Sequence, residues 1–290
     1  LKRIKVNFYT KENCNLCDKA RKILENARKA GKFNIREIDI EQATFLMDKF
    51  FDKIPAIEIE NREYIFYPFD EKKVIEAIQR AEKIKKPVKI YNRNSRFYDF
   101  MESPMEVLSF RELREKFFKK IFESKKIKKI KILEIGVGTG KNIPYYPYEA
   151  EIFGVEIAKK MLDRAKIKVK NENKNVHLLN MDVQYLGLKN DSFDIVFTTF
   201  VFCSVFDPVQ GLKEIKRILK PEGKLYMLEH VRSENPLMGK IIDFFDPLFF
   251  NITGAHIARK TKENLIKAGF EVEEEKIGSI LRVFTATPLK

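Results

Sequence analysis

Two stretches of the 290-residue chain carry side chains at spacings that chemistry can use. Near the front, Cys14-Asn15-Leu16-Cys17 sets two thiols three positions apart; far downstream, "ILEIGVGTGKN" runs an apolar block through Glu134 into Gly136, Gly138 and Gly140. The thiol pair is open to three readings: a metal clip, a structural or inert buried pair, and a redox couple. Zinc needs two further Cys or His ligands, and neither type recurs before His177, so no metal is expected. At the amino end of a helix, unpaired N–H groups and positive potential stabilise a thiolate at Cys14. Cys14 is then the candidate nucleophile. Cys17, one turn further in, is placed to resolve a mixed disulfide.

The glycine loop lets backbone N–H groups approach a ligand at a helix amino terminus. Dinucleotide enzymes favour a third glycine at the place held here by Lys141. Glu134, two residues before the first glycine, can accept from a ligand ammonium that a nicotinamide dinucleotide does not offer there, so the loop favours S-adenosylmethionine. About twenty residues on, "EIFGVEIAKKML" ends a strand at Glu156, whose carboxylate can take both ribose hydroxyls. "VHLLNMDV" ends another at Asp182, placed for the adenine amino group, with the Val183 amide for a ring nitrogen. Ile157, Met161 and Thr199 complete the expected cofactor contacts.

These residues need elements to position them. "IKVNFY" reads as a strand, "NLCDKARKILENARKA" as a helix ended by Gly31, "FNIREIDI" as a strand and "QATFLMDKFF" as a helix; "IPAIEIE" and "REYIF" form a strand pair and "DEKKVIEAIQRAEKI" a closing helix. Pro87 marks a boundary, giving domains 1–86 and 87–290. Beyond it, Leu113, Phe117, Phe118 and Ile121 recur at helical spacing and are expected in a core. "SFDIVFTTFVFCSV" is almost wholly apolar, as a parallel strand covered on both faces should be.

On "CNLC" after the first strand and Ile54-Pro55 before the third, the first domain resembles the glutaredoxin and thioredoxin family. That resemblance implies a cis proline at Pro55 facing the dithiol. Leu16 replaces the usual proline between the cysteines, and the glutathione-binding residues are not recognisable, so dithiol chemistry is implied and glutathione use is not. The second domain, on the spacing of Glu134, the glycines, Glu156 and Asp182, resembles the class I S-adenosylmethionine-dependent methyltransferases. That implies a Rossmann-like seven-stranded sheet, with "KLYMLEHV" fifth and "FEVEEEKIG" and "LRVFTATP" an antiparallel pair at the edge. The fold class is thus α/β: a thioredoxin-like domain followed by the transferase. "FYDFMESPME", "TFVFCSV", "LEHVRSENP" and "DPLFFNITGAHIARKT" resemble the branch of phosphatidylethanolamine N-methyltransferase-like and thiol methyltransferase-like proteins, whose opening aromatic segment serves as a lid. Tyr91, Phe97, Tyr98 and Met101 are the lid candidates.

Methyl transfer is an in-line displacement, so an enzyme mostly aligns the acceptor and excludes water. His230 ends the fifth strand at the carboxyl edge, where open α/β sheets bind ligands. It is the preferred group to bind or deprotonate substrate, against the reading of a histidine satisfied by backbone. His256 with Arg259 either binds an anionic substrate group or caps the helix beginning near Thr261. Cys203 lies on the expected substrate side, although a buried core thiol is the reading favoured for it. His177 is expected to be structural. "NPLMGKIIDFFDPLFFNITG" is expected to roof the site, with shallow contact to a membrane as a second use.

Composition bounds the rest. A 44% hydrophobic and 34% charged chain has no apolar run that spans a bilayer. The start lacks the apolar block of a secretory signal, so a cytoplasmic location, membrane-peripheral at most, is expected. The net charge of +14 comes without a nucleic-acid module, and its lysines alternate with glutamates on helices, so nucleic acid is not an expected partner. Abundant Lys, Glu and Ile suggest a thermophilic source. The function read from all this is methyl transfer to a small thiol or other soft sulfur, selenium or arsenic acceptor, with a cellular dithiol reductant as partner. Lipid amine or quinol methylation is the alternative, and a redox protein that only senses S-adenosylmethionine is the rival from another class.

Overall fold

The structure, a computed structural model, describes residues 3–42, 47, 50, 52–60, 62–95, 110–122 and 130–289. The chain divides into two compact units, Leu1–Lys85 and Lys86–Lys290.

In the first unit, strands β1 (Ile4–Thr10), β2 (Phe33–Asp39), β3 (Ala56–Ile59) and β4 (Glu63–Phe66) form one sheet in the order β2-β1-β3-β4. β1 and β2 run parallel, while β3 is antiparallel to both β1 and β4. Helix α1 (Asn15–Ala30) connects β1 to β2 and buries Cys17, Ala20, Leu24 and Ala27 at helical spacing. This is the small mixed sheet of a thioredoxin-like domain. Most of "QATFLMDKFF" lies outside the described residues.

Helix α2 (Glu71–Asn94) is longer than its sequence suggests, because it continues through Pro87. Proline gives up one intrahelical hydrogen bond. Pro87 nevertheless packs against Gly254, where an added Cβ would lie 3.3 Å from its Cα.

The second unit holds a seven-stranded sheet in the order β10-β11-β9-β8-β5-β6-β7. Its strands are β5 (Lys131–Ile135), β6 (Glu151–Val155), β7 (Val176–Leu179), β8 (Phe193–Thr199), β9 (Leu219–His230), β10 (Phe270–Ile277) and β11 (Leu281–Pro288). β5 through β9 are parallel; β11 enters antiparallel beside β9, leaving β10 at the edge. This is the Rossmann-like methyltransferase sheet. The chain builds outward from β5 to β7 and then returns to the far side of β5 with β8, which creates a switch point between β5 and β8. Helices α3 (Arg111–Phe122), α4 (Lys159–Glu172) and α5 (Pro208–Ile218) bury apolar stripes such as Phe117, Phe118 and Ile121.

Two helices follow, α6 (Pro236–Thr253) and α7 (Thr261–Lys267). The roof expected of "NPLMGKIIDFFDPLFFNITG" is not seen: most of its large apolar side chains are exposed, Ile242 and Phe250 are half-buried, and Gly239 is the buried residue of α6. The reason is anchoring by the polar side. Asp243 pairs with Arg232 at 2.8 Å, and Asp246 holds the His256 ring and the Ile257 and Ala258 N–H groups, which turns the apolar side outward. Among the described residues, no helix is long and apolar enough to cross a membrane.

Candidate functional site

Five chemistry-bearing residues stand at the carboxyl ends of five neighbouring parallel strands. Glu134 is next to last in β5, Glu156 follows β6, Asp182 lies three residues past β7, Thr199 ends β8 and His230 ends β9. Open α/β sheets hold ligands at this edge.

Glu134 is wholly buried. Its Oε1 accepts from Asn142 Nδ2 at 2.5 Å, and its Oε2 has no partner among the described residues. Asn142 also donates to Thr199 Oγ1 at 2.9 Å. The buried Arg114, projected from α3, donates to Asn142 Oδ1 at 2.5 Å and to Thr199 Oγ1 at 3.1 Å. Glu134 and Thr199 are thus joined across the switch point. Burial pushes the Glu134 carboxyl up to about 8, opposed by the Asn142 hydrogen bond and the Arg114 charge.

The glycine loop begins where Gly136 donates to Val155 O at 2.8 Å. Gly136 sits at φ 72°, and an added Cβ would lie 2.4 Å from Val201 Cγ2, so only glycine fits without displacement. Gly138 and Gly140 also have positive φ. Glu156 fixes the loop from beside it: its Oε2 accepts from Gly138 N at 3.0 Å and its Oε1 from Ala158 N at 2.7 Å. Burial raises its pKa, opposed by those backbone hydrogen bonds. A carboxylate has about four acceptor positions, so Glu156 retains capacity for ligand hydroxyls. Asp182 is buried; its Oδ1 accepts from Gln184 N and Nε2, both at 3.0 Å, and its Oδ2 has no partner among the described residues. Met161 and Val183 are buried, and Ile157 is half-buried with its carbonyl taken by Asn180. Two buried carboxylate oxygens that lack donors among the described residues, on either side of the glycine loop, fit a ligand bearing an ammonium and an exocyclic amine.

On the acceptor side, His230 is half-buried beside Phe200 and Phe110, with ring centroids at 4.7 and 6.0 Å. Cys203 is buried, and its thiol donates to Phe200 O. Burial, then the Glu229 charge, push that thiol up to about 12, so it is neutral at ordinary pH. Tyr91 meets Ser204 Oγ through its hydroxyl at 2.5 Å. Phe97, Tyr98 and Met101 lie outside the described residues. His256 Nδ1 is 2.6 Å from Asp246 Oδ2, its ring stacks on Phe250, and its N–H reaches Cys203 O. Arg259 donates to Val205 O at 2.6 Å. Neither caps α7, whose N-cap is Lys260, because Asp246 and the Val205 carbonyl already hold the imidazole and the guanidinium. His177 is half-exposed, 3.5 Å from Glu151.

Three participants escape a reading by motif: Arg114, Asn142 and Glu229. Glu229 is wholly buried, and its Oε1 accepts from Thr198 Oγ1, Val201 N and Phe202 N at 2.8, 3.1 and 3.2 Å. It therefore pins the turn after β8 that carries Cys203. Burial pushes its carboxyl up to about 7. A carboxylate inside the apolar run "YMLEHV" was the available signal.

In the first unit, Cys14 is the N-cap of α1 and its Sγ accepts from Cys17 N at 3.1 Å. The two cysteines form a disulfide with a Cα–Cα distance of 5.2 Å. Cys17 is buried and Cys14 partly exposed. The Ile54–Pro55 peptide is cis, as is Tyr67–Pro68, and Ile54 packs in the same apolar cluster as both cysteines.

Comparison with known proteins bears on both units. Residues 5–79 match a glutaredoxin-like domain family, and residues 133–227 match a methyltransferase domain family. A thiol S-methyltransferase of Rattus norvegicus is 28% identical over 62% of this chain and 78% of its own length. A demethylmenaquinone methyltransferase of Lactobacillus johnsonii is 32% identical over 58% of this chain and 71% of its own. Among solved structures, Haemonchus contortus phosphoethanolamine N-methyltransferase 2, bound to phosphomonomethylethanolamine and S-adenosylhomocysteine, superposes with a TM-score of 0.51. It is 18% identical and covers 62% of this chain and 53% of that one.

Proposed function

Since the chain belongs to the S-adenosylmethionine-dependent methyltransferases and carries a glutaredoxin-like domain ahead of the transferase, we propose that it methylates a small thiol or another soft acceptor of sulfur, selenium or arsenic. The observation that carries the site assignment is the row of Glu134, Glu156, Asp182 and Thr199 along one sheet edge, with a donorless buried oxygen on Glu134 and on Asp182. We assign residues 1–86 to the dithiol domain and 87–290 to the transferase.

When bound, S-adenosylmethionine supplies a methyl group on a sulfonium, open to in-line attack. In this reading Glu134 Oε2 accepts from the amino-acid ammonium, with Asn142 and Arg114 holding the carboxylate in place. Glu156 would accept from the ribose hydroxyls and Asp182 Oδ2 from the adenine amine, while Val183 N–H would donate to a ring nitrogen. His230, at the end of β9, would take the proton of the acceptor thiol, leaving the thiolate to receive the methyl group that the cofactor supplies. A strong base is not needed, because a thiol ionises near neutral pH.

The thiol assignment is supported by the likeness to the rat thiol S-methyltransferase and by the dithiol domain. Cys14 and Cys17 would reduce or hand over the soft atom, a cellular dithiol reductant would restore them, and linkage in one chain would raise the effective concentration between the two sites. The likeness to a demethylmenaquinone methyltransferase favours a second reading, a quinol acceptor. Turnover of small thiols and of their oxidised forms by the intact chain and by Cys14→Ser tests the handover. A loss confined to the oxidised donors is expected; equal rates on every oxidised donor would remove the dithiol from the reaction.

A further inference from the structure

The outward face of α6 is built for a surface. Leu237, Met238, Ile241, Phe244, Phe245, Leu248, Phe249 and Ile252 are all exposed, from 43% at Ile241 to 78% at Phe244. At about 100° per residue these eight fall within an arc of about 140°, and no other residue of the helix shares it. Soluble proteins seldom expose a contiguous apolar stripe of this kind without an occupant.

The polar residues of α6 indicate the occupant. Its two carboxylates are turned away from the stripe and engaged: Asp243 by Arg232, and Asp246 by the His256 ring and two backbone N–H groups. The flank carries cations instead. Lys240 lies on the next part of the helix surface, about 40° from Phe244. Lys86 bonds Asn251 and lies 5.8 Å from the Phe250 ring. The whole chain carries +14.

We propose that this face of α6 docks on an anionic lipid bilayer, lying in the interface with its phenylalanine and leucine side chains among the acyl chains and the flanking lysines at the headgroups. The 18-residue helix is about 27 Å long and carries Lys240, Asp243 and Asp246 along its length, so it lies on a membrane and does not cross it. The Coulombic share of such binding weakens with salt. The inference is independent of the acceptor: a peripheral helix serves a soluble thiol and a lipid-soluble acceptor alike.

Flotation of the full chain with vesicles tests it, using phosphatidylcholine mixed with phosphatidylglycerol against phosphatidylcholine alone. The wild type is expected to float with the mixed vesicles at least about tenfold better than with the neutral ones. The double variant Phe244→Glu/Leu248→Glu should lose that binding while keeping its thermal midpoint and its turnover of a soluble thiol. Ile167→Glu, on an exposed apolar residue of α4, should float as the wild type does. Failure of the wild type to bind, indifference to phosphatidylglycerol, or equal binding by the double variant would overturn the proposal. So would self-association through α6, seen as a dimer that the double variant dissolves without any vesicle binding. Methyl transfer is measured separately in the same samples, so a lost membrane contact and a lost enzyme are distinguishable.

Discussion

Asn142 donates its side-chain amide to Glu134, a wholly buried carboxylate at the carboxyl end of β5, at 2.5 Å. That one bond, with the Arg114 charge behind it, opposes but does not cancel the cost of burial, and the carboxyl stays up near 8. A ligand ammonium favours the ionised form, so binding must release a proton below that pH. Affinity for S-adenosylmethionine is expected to rise from acid pH to a maximum near 8, where the ionised carboxyl and the ligand ammonium coexist most, and to fall above it as the ammonium loses its proton. Calorimetry in buffers of different ionisation heat measures both affinity and proton release. Glu134→Gln should bind more weakly and without the rise on the acid side.

The ligand-free chain should show the opposite trend in stability. Glu134 and Glu229 have folded pKa values raised to about 8 and about 7 from an ordinary 4.5, both first by burial. A raised pKa means that the folded state binds more protons than the unfolded state between the two values. Their contribution is therefore full below about 4.5 and is lost as pH climbs through about 7 and 8. Denaturant midpoints of the wild type should fall across that window, and the fall should be shallower in Glu134→Gln.

Gly136 and Gly187 make a matched pair for the loop. An alanine at Gly136 meets both a positive φ and Val201 at 2.4 Å, whereas one at Gly187 finds Met181 at 3.8 Å and no unusual backbone. Gly136→Ala is expected to cost at least about 2 kcal/mol. Gly187→Ala should stay within about 0.5 kcal/mol. Chemical denaturation of the two variants checks the contrast.

Glu229 supports the turn after β8 through three donors. Glu229→Ala leaves two backbone N–H groups and a threonine hydroxyl without their acceptor and should cost about 3 kcal/mol. Glu229→Gln retains one acceptor oxygen and should cost less. A role confined to stability would leave the KM for an acceptor thiol unchanged in Glu229→Gln; a role in setting the turn raises it.

After reduction, Cys14 is expected to alkylate at least about tenfold faster than Cys17, because Cys14 is partly exposed at the helix N-cap while Cys17 is 1% exposed. Peptide mapping after brief exposure to iodoacetamide reads the ratio. Cys14→Ser keeps an N-cap oxygen and should fold while losing the disulfide.

What the sequence made legible was local. The Cys14–Cys17 spacing, the alternating glycines and the acids at strand ends stand in contiguous runs, and each run brings its residues to one sheet edge once the alternation of strand and helix is read. Arg114 was hidden because one arginine in "RELREKFFKK" looks like any solvated charge; only the helix rotation that buries Phe117 and Phe118 carries it inward as well. Asn142 was hidden for a related reason, since its three partners lie 8, 28 and 57 residues away. The outward turn of α6 depends on Arg232 and His256 engaging its acids, and neither pairing is visible in a hydrophobic pattern. Pro87 suggested a break that the helix passes through.

The most direct measurement is the mass of the methylated products formed by the full chain from labelled S-adenosylmethionine and a mixed pool of thiols, amines and quinols. Label on sulfur, absent in Glu134→Ala, is the expected result. Label on nitrogen or on a quinol oxygen, or cofactor bound with no product at all, would contradict it.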